Sequence, residues 1–166
     1  MSIKMPINKF VVLLMVSFGI ASNAFAAGKS RELSLDGNYI NSNGQNASLL
    51  NVSLGQFVTP QFVVVTELST QQNFVYSATS IGLGGKFYFM DGFKGDLVPF
   101  AGVGIGLRLA ATATDSNHGS TQYDANAGLA YFLSDSTTLD LKVKLLNFND
   151  STPNITLLSA GFSQRF

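Results

Sequence analysis

From residue 31 to its end the chain repeats with a period of two, and that alternation limits what it can fold into more than any other feature. Its clearest stretch sets Ala101, Val103, Ile105, Leu107 and Leu109 against Gly102, Gly104, Gly106 and Arg108. Successive side chains of an extended strand point to opposite faces, so the pattern predicts a strand with one apolar face and one small or polar face. Seven further segments read the same way. They are Arg31 to Ile40, Ala47 to Thr59, Phe62 to Thr70, Tyr76 to Phe89, Thr121 to Leu133, the run around Leu139 to Leu145, and a closing segment in which Thr156, Leu158, Ala160, Phe162, Gln164 and Phe166 share a face. Asn43-Gly44, Pro60-Gln61, the glycine-containing Met90 to Asp96 and Ser134 to Ser136 supply turns between them. The facing of Phe62 to Val65 is left open by its continuous apolar run.

The first residues read differently. Lys4 and Lys9 form a short basic region, Phe10 to Ala21 an apolar one, and Ala24-Phe25-Ala26 place small residues where a signal peptidase cuts. The expectation is a cleavable signal peptide over residues 1–26 and one domain over residues 27–166. The apolar run is too short for a spanning helix, which needs roughly 20 residues. Absence of cysteine excludes a lipid-anchored lipoprotein, disulfides and thiolate metal sites.

Charged residues make up 12% of the chain, against roughly 25% in ordinary soluble domains. A polar shell is therefore missing, although nothing after the signal is long and apolar enough to be a spanning helix. Without Lys4 and Lys9 there remain eight basic and ten acidic residues, a near-neutral balance that suggests no nucleic-acid partner.

Eight strands of about ten residues suit the smallest transmembrane barrels. Alternation alone fits two barrels, a soluble one with the apolar face inward and a membrane one with it outward. Three features favour apolar-out. The polar face carries Asp36, Lys86, Arg108, Asp124, Asp140, Lys142, Lys144 and Arg165, too few charges for a solvated exterior; glycines lie on that same face; and aromatics gather near strand ends, as in interfacial girdles. One rim would hold Phe57, Phe62, Phe87, Phe89, Phe100, Tyr131 and Phe166, and the other Tyr39, Phe74, Tyr76, Tyr123 and Phe148. In lipid such a sheet has to close, with the first strand beside the last and Arg165 within reach of Asp36 or Glu32. The fold expected is all-β: an eight-stranded antiparallel transmembrane β-barrel preceded by a cleavable signal peptide.

The segments LGQFVTPQ, GLGGKFYF, LVPFAGVGIGL, NAGLAYFLSDSTTLDL and GFSQRF resemble the small outer-membrane β-barrels of Gram-negative bacteria, of the OmpA transmembrane-domain and OmpX type. The resemblance covers essentially the whole of residues 27–166. It implies location in the outer membrane in contact with lipid and lipopolysaccharide, and a terminal strand whose Phe162 and Phe166 are read by the barrel assembly machinery. Gln164 departs from the aromatic or apolar residue usual there.

The candidate interior charges are Asp36, Glu67, Lys86, Arg108, Asp124, Asp140, Lys142, Lys144 and Arg165. An eight-stranded interior is just wide enough for side chains to fill it, so balanced acids and bases point to a plug. Buried charges need partners, and Lys86 and Arg108 are expected to compete for Glu67, Asp124 or Asp140. The single histidine, His118, precedes Ser120 in the polar segment ATATDSNHGS. The pair invites comparison with lipid A deacylases, but only Asp115 or Asp124 could orient the ring. One histidine without an acidic cluster offers too few metal ligands. Gly102, Gly104 and Gly106 lie within a strand with no helix following, so they form no phosphate-cradling loop. No catalytic, cofactor or metal site is assigned.

The function read from the sequence is a monomeric, non-enzymatic barrel that serves envelope integrity, its lumen plugged by polar side chains. Rival readings are a narrow channel for small or apolar solutes, as in the OmpW type, a lipid A hydrolase, and a soluble periplasmic barrel with an apolar interior.

Overall fold

A computed structural model describes residues 31–42, 45–73, 77–91, 95–110, 120–149 and 154–166. They form eight strands: β1 (Arg31–Ser42), β2 (Gln45–Phe57), β3 (Phe62–Asn73), β4 (Ser77–Tyr88), β5 (Leu97–Ala110), β6 (Thr121–Ser134), β7 (Thr137–Phe148) and β8 (Ile155–Arg165). Each pairs antiparallel with its neighbours in sequence, and β1 pairs with β8 to close a barrel. Closure removes the edges that an open sheet would leave to find partners elsewhere. The proposed signal peptide, Phe74, Tyr76 and His118 lie outside the described residues.

Two short connections show how local chemistry sets one rim. Between β2 and β3, the Thr59 hydroxyl accepts from the backbone N–H of Phe62 at 3.0 Å while Val58 N–H donates to the Phe62 carbonyl at 2.9 Å. Between β6 and β7, Asp135 and Ser136 turn the chain so that Ser134 pairs with Thr137, with a register shift after Phe132. The β4–β5 connection passes through Gly95 at φ 140°, a conformation that favours glycine. This short-turn rim also carries Arg31 and Phe166, whose backbones exchange hydrogen bonds of 3.1 and 3.0 Å.

Burial alternates along each strand and settles which face is outside. Leu33, Leu35, Leu50, Ile81, Leu83, Val103, Ile105, Leu107, Leu141, Leu145 and Leu158 are exposed, whereas Glu32, Asp36, Asn51, Arg108, Asp140 and Lys144 are buried. A soluble ligand-binding barrel has the reverse distribution, so that reading is overturned. The open question of β3 resolves in the same phase: Val63 is fully buried, Val64 is exposed, and Glu67 lines the lumen.

Candidate functional site: the filled lumen

Three layers of side chains fill the interior. At the short-turn rim Val63, Tyr88, Val98, Phe100 and Ala130 form an apolar cluster, with Phe57, Val65, Met90 and Phe132 packed against it. At the opposite end Leu49, Leu146, Phe148 and Leu157 form a second cluster beside Ile155. Most of the charged network lies between these two plugs.

Glu32 is the centre of the network's lower half. It accepts from Lys86 Nζ at 2.8 Å, from the Tyr88 hydroxyl at 2.8 Å and from Arg165 Nε at 3.2 Å. Lys86 also lies 3.7 Å from Asp140, whose other neighbour, the Ser163 hydroxyl, donates to it at 2.8 Å. The upper half joins Lys142 to Asp36 at 2.9 Å, and Lys144 to Glu67, with Asp124 at 3.8 Å. Asn51 donates to Asp36 at 2.8 Å. The acids Glu32, Asp36, Glu67, Asp124 and Asp140 thus match in number the bases Lys86, Arg108, Lys142, Lys144 and Arg165. Removing charges from water is tolerable only with such compensation.

The aromatic assignment needs correction. Phe57, Phe100 and Phe148, expected in outer girdles, turn into the lumen, where they cover cations. Arg165 lies 4.8 Å from the Phe57 ring centroid, Lys86 4.9 Å from that of Phe100, and Arg108 4.4 Å from that of Phe148. The face of an aromatic ring attracts a cation, and more strongly where water is excluded. The phase was present in the sequence: Phe100 shares a face with Gly102 and Gly104, and Phe57 with Gly55 and Ser53. Among the remaining girdle residues Phe87, Phe89, Tyr123, Tyr131 and Phe166 are exposed.

The partner of Lys86 also differs from expectation, being Glu32 rather than Glu67, Asp124 or Asp140 as first choice. Glu32 sits on β1 and Lys86 on β4, so they meet across the lumen. Strand adjacency could not have found that pair. Arg165 joins Glu32, the second of its two expected acids.

Glycine makes room for these crossings. A Cβ on Gly161 would stand 2.6 Å from the Cβ of Asp36, so the gap on β8 lets Asp36 reach Lys142 on β7. Gly104 likewise yields its space to the Asp124 carboxylate. What remains open is a cavity of about 60 Å³ bordered by Glu32, Glu67, Lys86, Asp124, Asp140 and Lys142. That is room for a few waters, since about 10–15 Å³ of such space holds one.

Ser120 is buried at the start of β6, its carbonyl accepting from Arg108 N–H at 2.8 Å. Phe162 is exposed on β8 and Phe166 at the rim.

No family model and no curated protein sequence matches the chain. Solved structures do. The chain is similar to the N-terminal β-barrel domain of Pseudomonas aeruginosa OprF, with TM-score 0.66 and 18% identity over 83% of this chain and 98% of that one. Neisserial surface protein A aligns with TM-score 0.66 and 15% identity over 82% and 97%. A transmembrane β-barrel designed de novo aligns with TM-score 0.57 and 15% identity over 86% and 100%. At these identities the likeness is one of fold, the closed eight-stranded transmembrane barrel.

Proposed function

We propose that this chain is an integral outer-membrane protein that works as a closed, non-enzymatic barrel and contributes to envelope integrity. The observation that carries the reading is the joint distribution of side chains: leucine, isoleucine and valine outside, and a balanced ion network sealed between two apolar clusters inside. A surface so apolar suits hydrocarbon, and backbone groups in hydrocarbon are satisfied by a closed ladder. The filled interior argues against solute passage, because a water-filled channel needs a continuous polar path. Lipid and lipopolysaccharide are the partners proposed for the outer face, and the barrel assembly machinery for the terminal strand bearing Phe162 and Phe166.

Fractionation followed by a gel of boiled and unboiled samples tests location and closure. The expected result is an outer-membrane band whose mobility changes on boiling. A soluble protein without that shift would remove the reading. Planar-bilayer recording tests the plug: the purified barrel is expected to be electrically silent, whereas reproducible single-channel steps would support the narrow-channel rival instead.

A further inference from the structure

The outward apolar band changes height around the barrel. On β5 it runs from Leu97 to Leu109, and on β6 from Tyr123 to Leu133. On β2 it is Leu50, Val52 and Leu54 between Ser48 and Gln56, with Val58 exposed in the turn beyond; on β8 it is Leu158, Ala160 and Phe162 between Thr156 and Gln164, with Phe166 at the rim; and on β1 Leu33 and Leu35 lie between Arg31 and Gly37. The strands hardly differ in length, 13 residues for β2 and 14 for β5. The difference therefore lies in the side chains and not in the reach of the backbone.

Magnitudes show what this means for a bilayer. At about 3.3 Å per residue and a tilt near 40°, the β5 run covers about 30 Å along the barrel axis, enough for the ≈ 25 Å band of such barrels, while the β2 run covers about 10 Å. The low side is continuous, since β8, β1 and β2 are neighbours in the closed sheet. It is also centred on the least paired seam. β1 is in register with β8 from Glu32 to Gly37, with Arg31 and Phe166 bonded just below, whereas the other neighbouring pairs run ten or more residues. Just above the last seam pair, Asn38 Nδ2 donates to Ser159 Oγ at 3.4 Å, a side-chain link where the ladder has stopped.

Hydrocarbon pressed against Ser48, Gln56, Thr156 and Gln164 would strip water from polar groups, at a cost for each. A bilayer facing too short an apolar span lowers that cost by thinning. We propose that the bilayer is locally thinned against the β8–β1–β2 wall, which makes this wall an interaction surface whose partner is compressed lipid. The occupant is lipid because the band is continuous from β4 through β7 into β8, so the same contact carries on and only its height changes. The inference rests on the outer-membrane reading above.

The chain contains no cysteine, so single nitroxide labels report one site each. The full barrel refolded in dioleoylphosphatidylcholine vesicles would be labelled in turn at Ser48→Cys, Gln56→Cys, Pro99→Cys, Leu107→Cys and Val103→Cys. Collision with lipid-soluble oxygen is then compared with collision with a water-soluble nickel chelate. The labels at Pro99 and Leu107, about 20 Å apart along the axis, are expected to favour oxygen. Those at Ser48 and Gln56 are expected to favour nickel, although the eight residues separating them cover only about 20 Å along the axis, less than an unthinned ≈ 25 Å band. Oxygen dominance at Ser48 and Gln56 would overturn the proposal, as would protection from both reagents, which would mean a second copy or another protein covers the wall. Nickel dominance at Val103, in the middle of β5, would instead bring down the membrane reading itself, and thinning with it.

Discussion

Glu32 receives hydrogen bonds from Lys86, Tyr88 and Arg165 together, and its side chain is 2% exposed. Glu32→Ala leaves two buried cations without their nearest anion, so the expected loss of unfolding free energy is about 3–5 kcal/mol. Urea titration of the vesicle-embedded barrel, read by the unboiled gel shift, measures it. A loss under about 1 kcal/mol, the range of exposed ion pairs, would mean water reaches the network. Replacing the pair together, Glu32→Gln with Lys86→Met, is expected to cost less than Glu32→Ala, because one cation, Arg165, is then left without that anion instead of two, and the amide oxygen can still accept from it. Gly161 offers a second test at this scale. Its absent Cβ is the space that Asp36 occupies, with the Leu35 carbonyl 3.0 Å away, so Gly161→Ala pushes β1 from β8. The expected cost is about 1–3 kcal/mol, as for overpacking elsewhere. Gly85→Ala, which meets only the Phe62 ring at 3.0 Å on the outer face, is expected to cost less in the same titration.

At the scale of the strand, each element is defined by which of its faces meets hydrocarbon, and β5 gives the sharpest comparison. Val103 is 67% exposed at mid-strand, so Val103→Lys is expected to destabilise by about 2–4 kcal/mol if that face is in lipid at the midplane. In water the same change would be close to neutral, which the urea titration would reveal at once. The eight strands were legible because a period of two survives almost unbroken from Leu33 to Phe166, and the boundaries moved by only a few residues, as for β2, read from Ala47 to Thr59 and found over Gln45–Phe57. The inward turn of Phe57, Phe100 and Phe148 was equally present in the phase of their strands. It was hidden by a rule that places aromatics near strand ends in girdles. The contact of Glu32 with Arg165 followed from closure, but its meeting with Lys86 had no such signal. Which acid meets which base across the lumen follows from strand tilt and shear, quantities that emerge only when the sheet closes.

For the whole molecule, the sealing elements act in series. Ions entering from the short-turn rim meet Tyr88, Phe100 and Val63, then the ion network, then Leu146, Phe148 and Leu157 at the far end. A block in series persists until every constriction is relieved, so removing one charge does not open the barrel. Lys86→Ala is therefore expected to remain silent in planar bilayers, and so are Phe100→Ala and Phe148→Ala taken singly. The combined Phe100→Ala, Lys86→Ala, Phe148→Ala variant, which thins all three layers, is expected to give small conductance steps in preparations that keep the heat-dependent gel shift. That control is needed because each truncation of a buried phenylalanine costs about 3–5 kcal/mol. If Lys86→Ala alone conducts, the charged layer is the gate and the apolar layers leak, which would turn the barrel from a plug into a channel held shut by one ion pair.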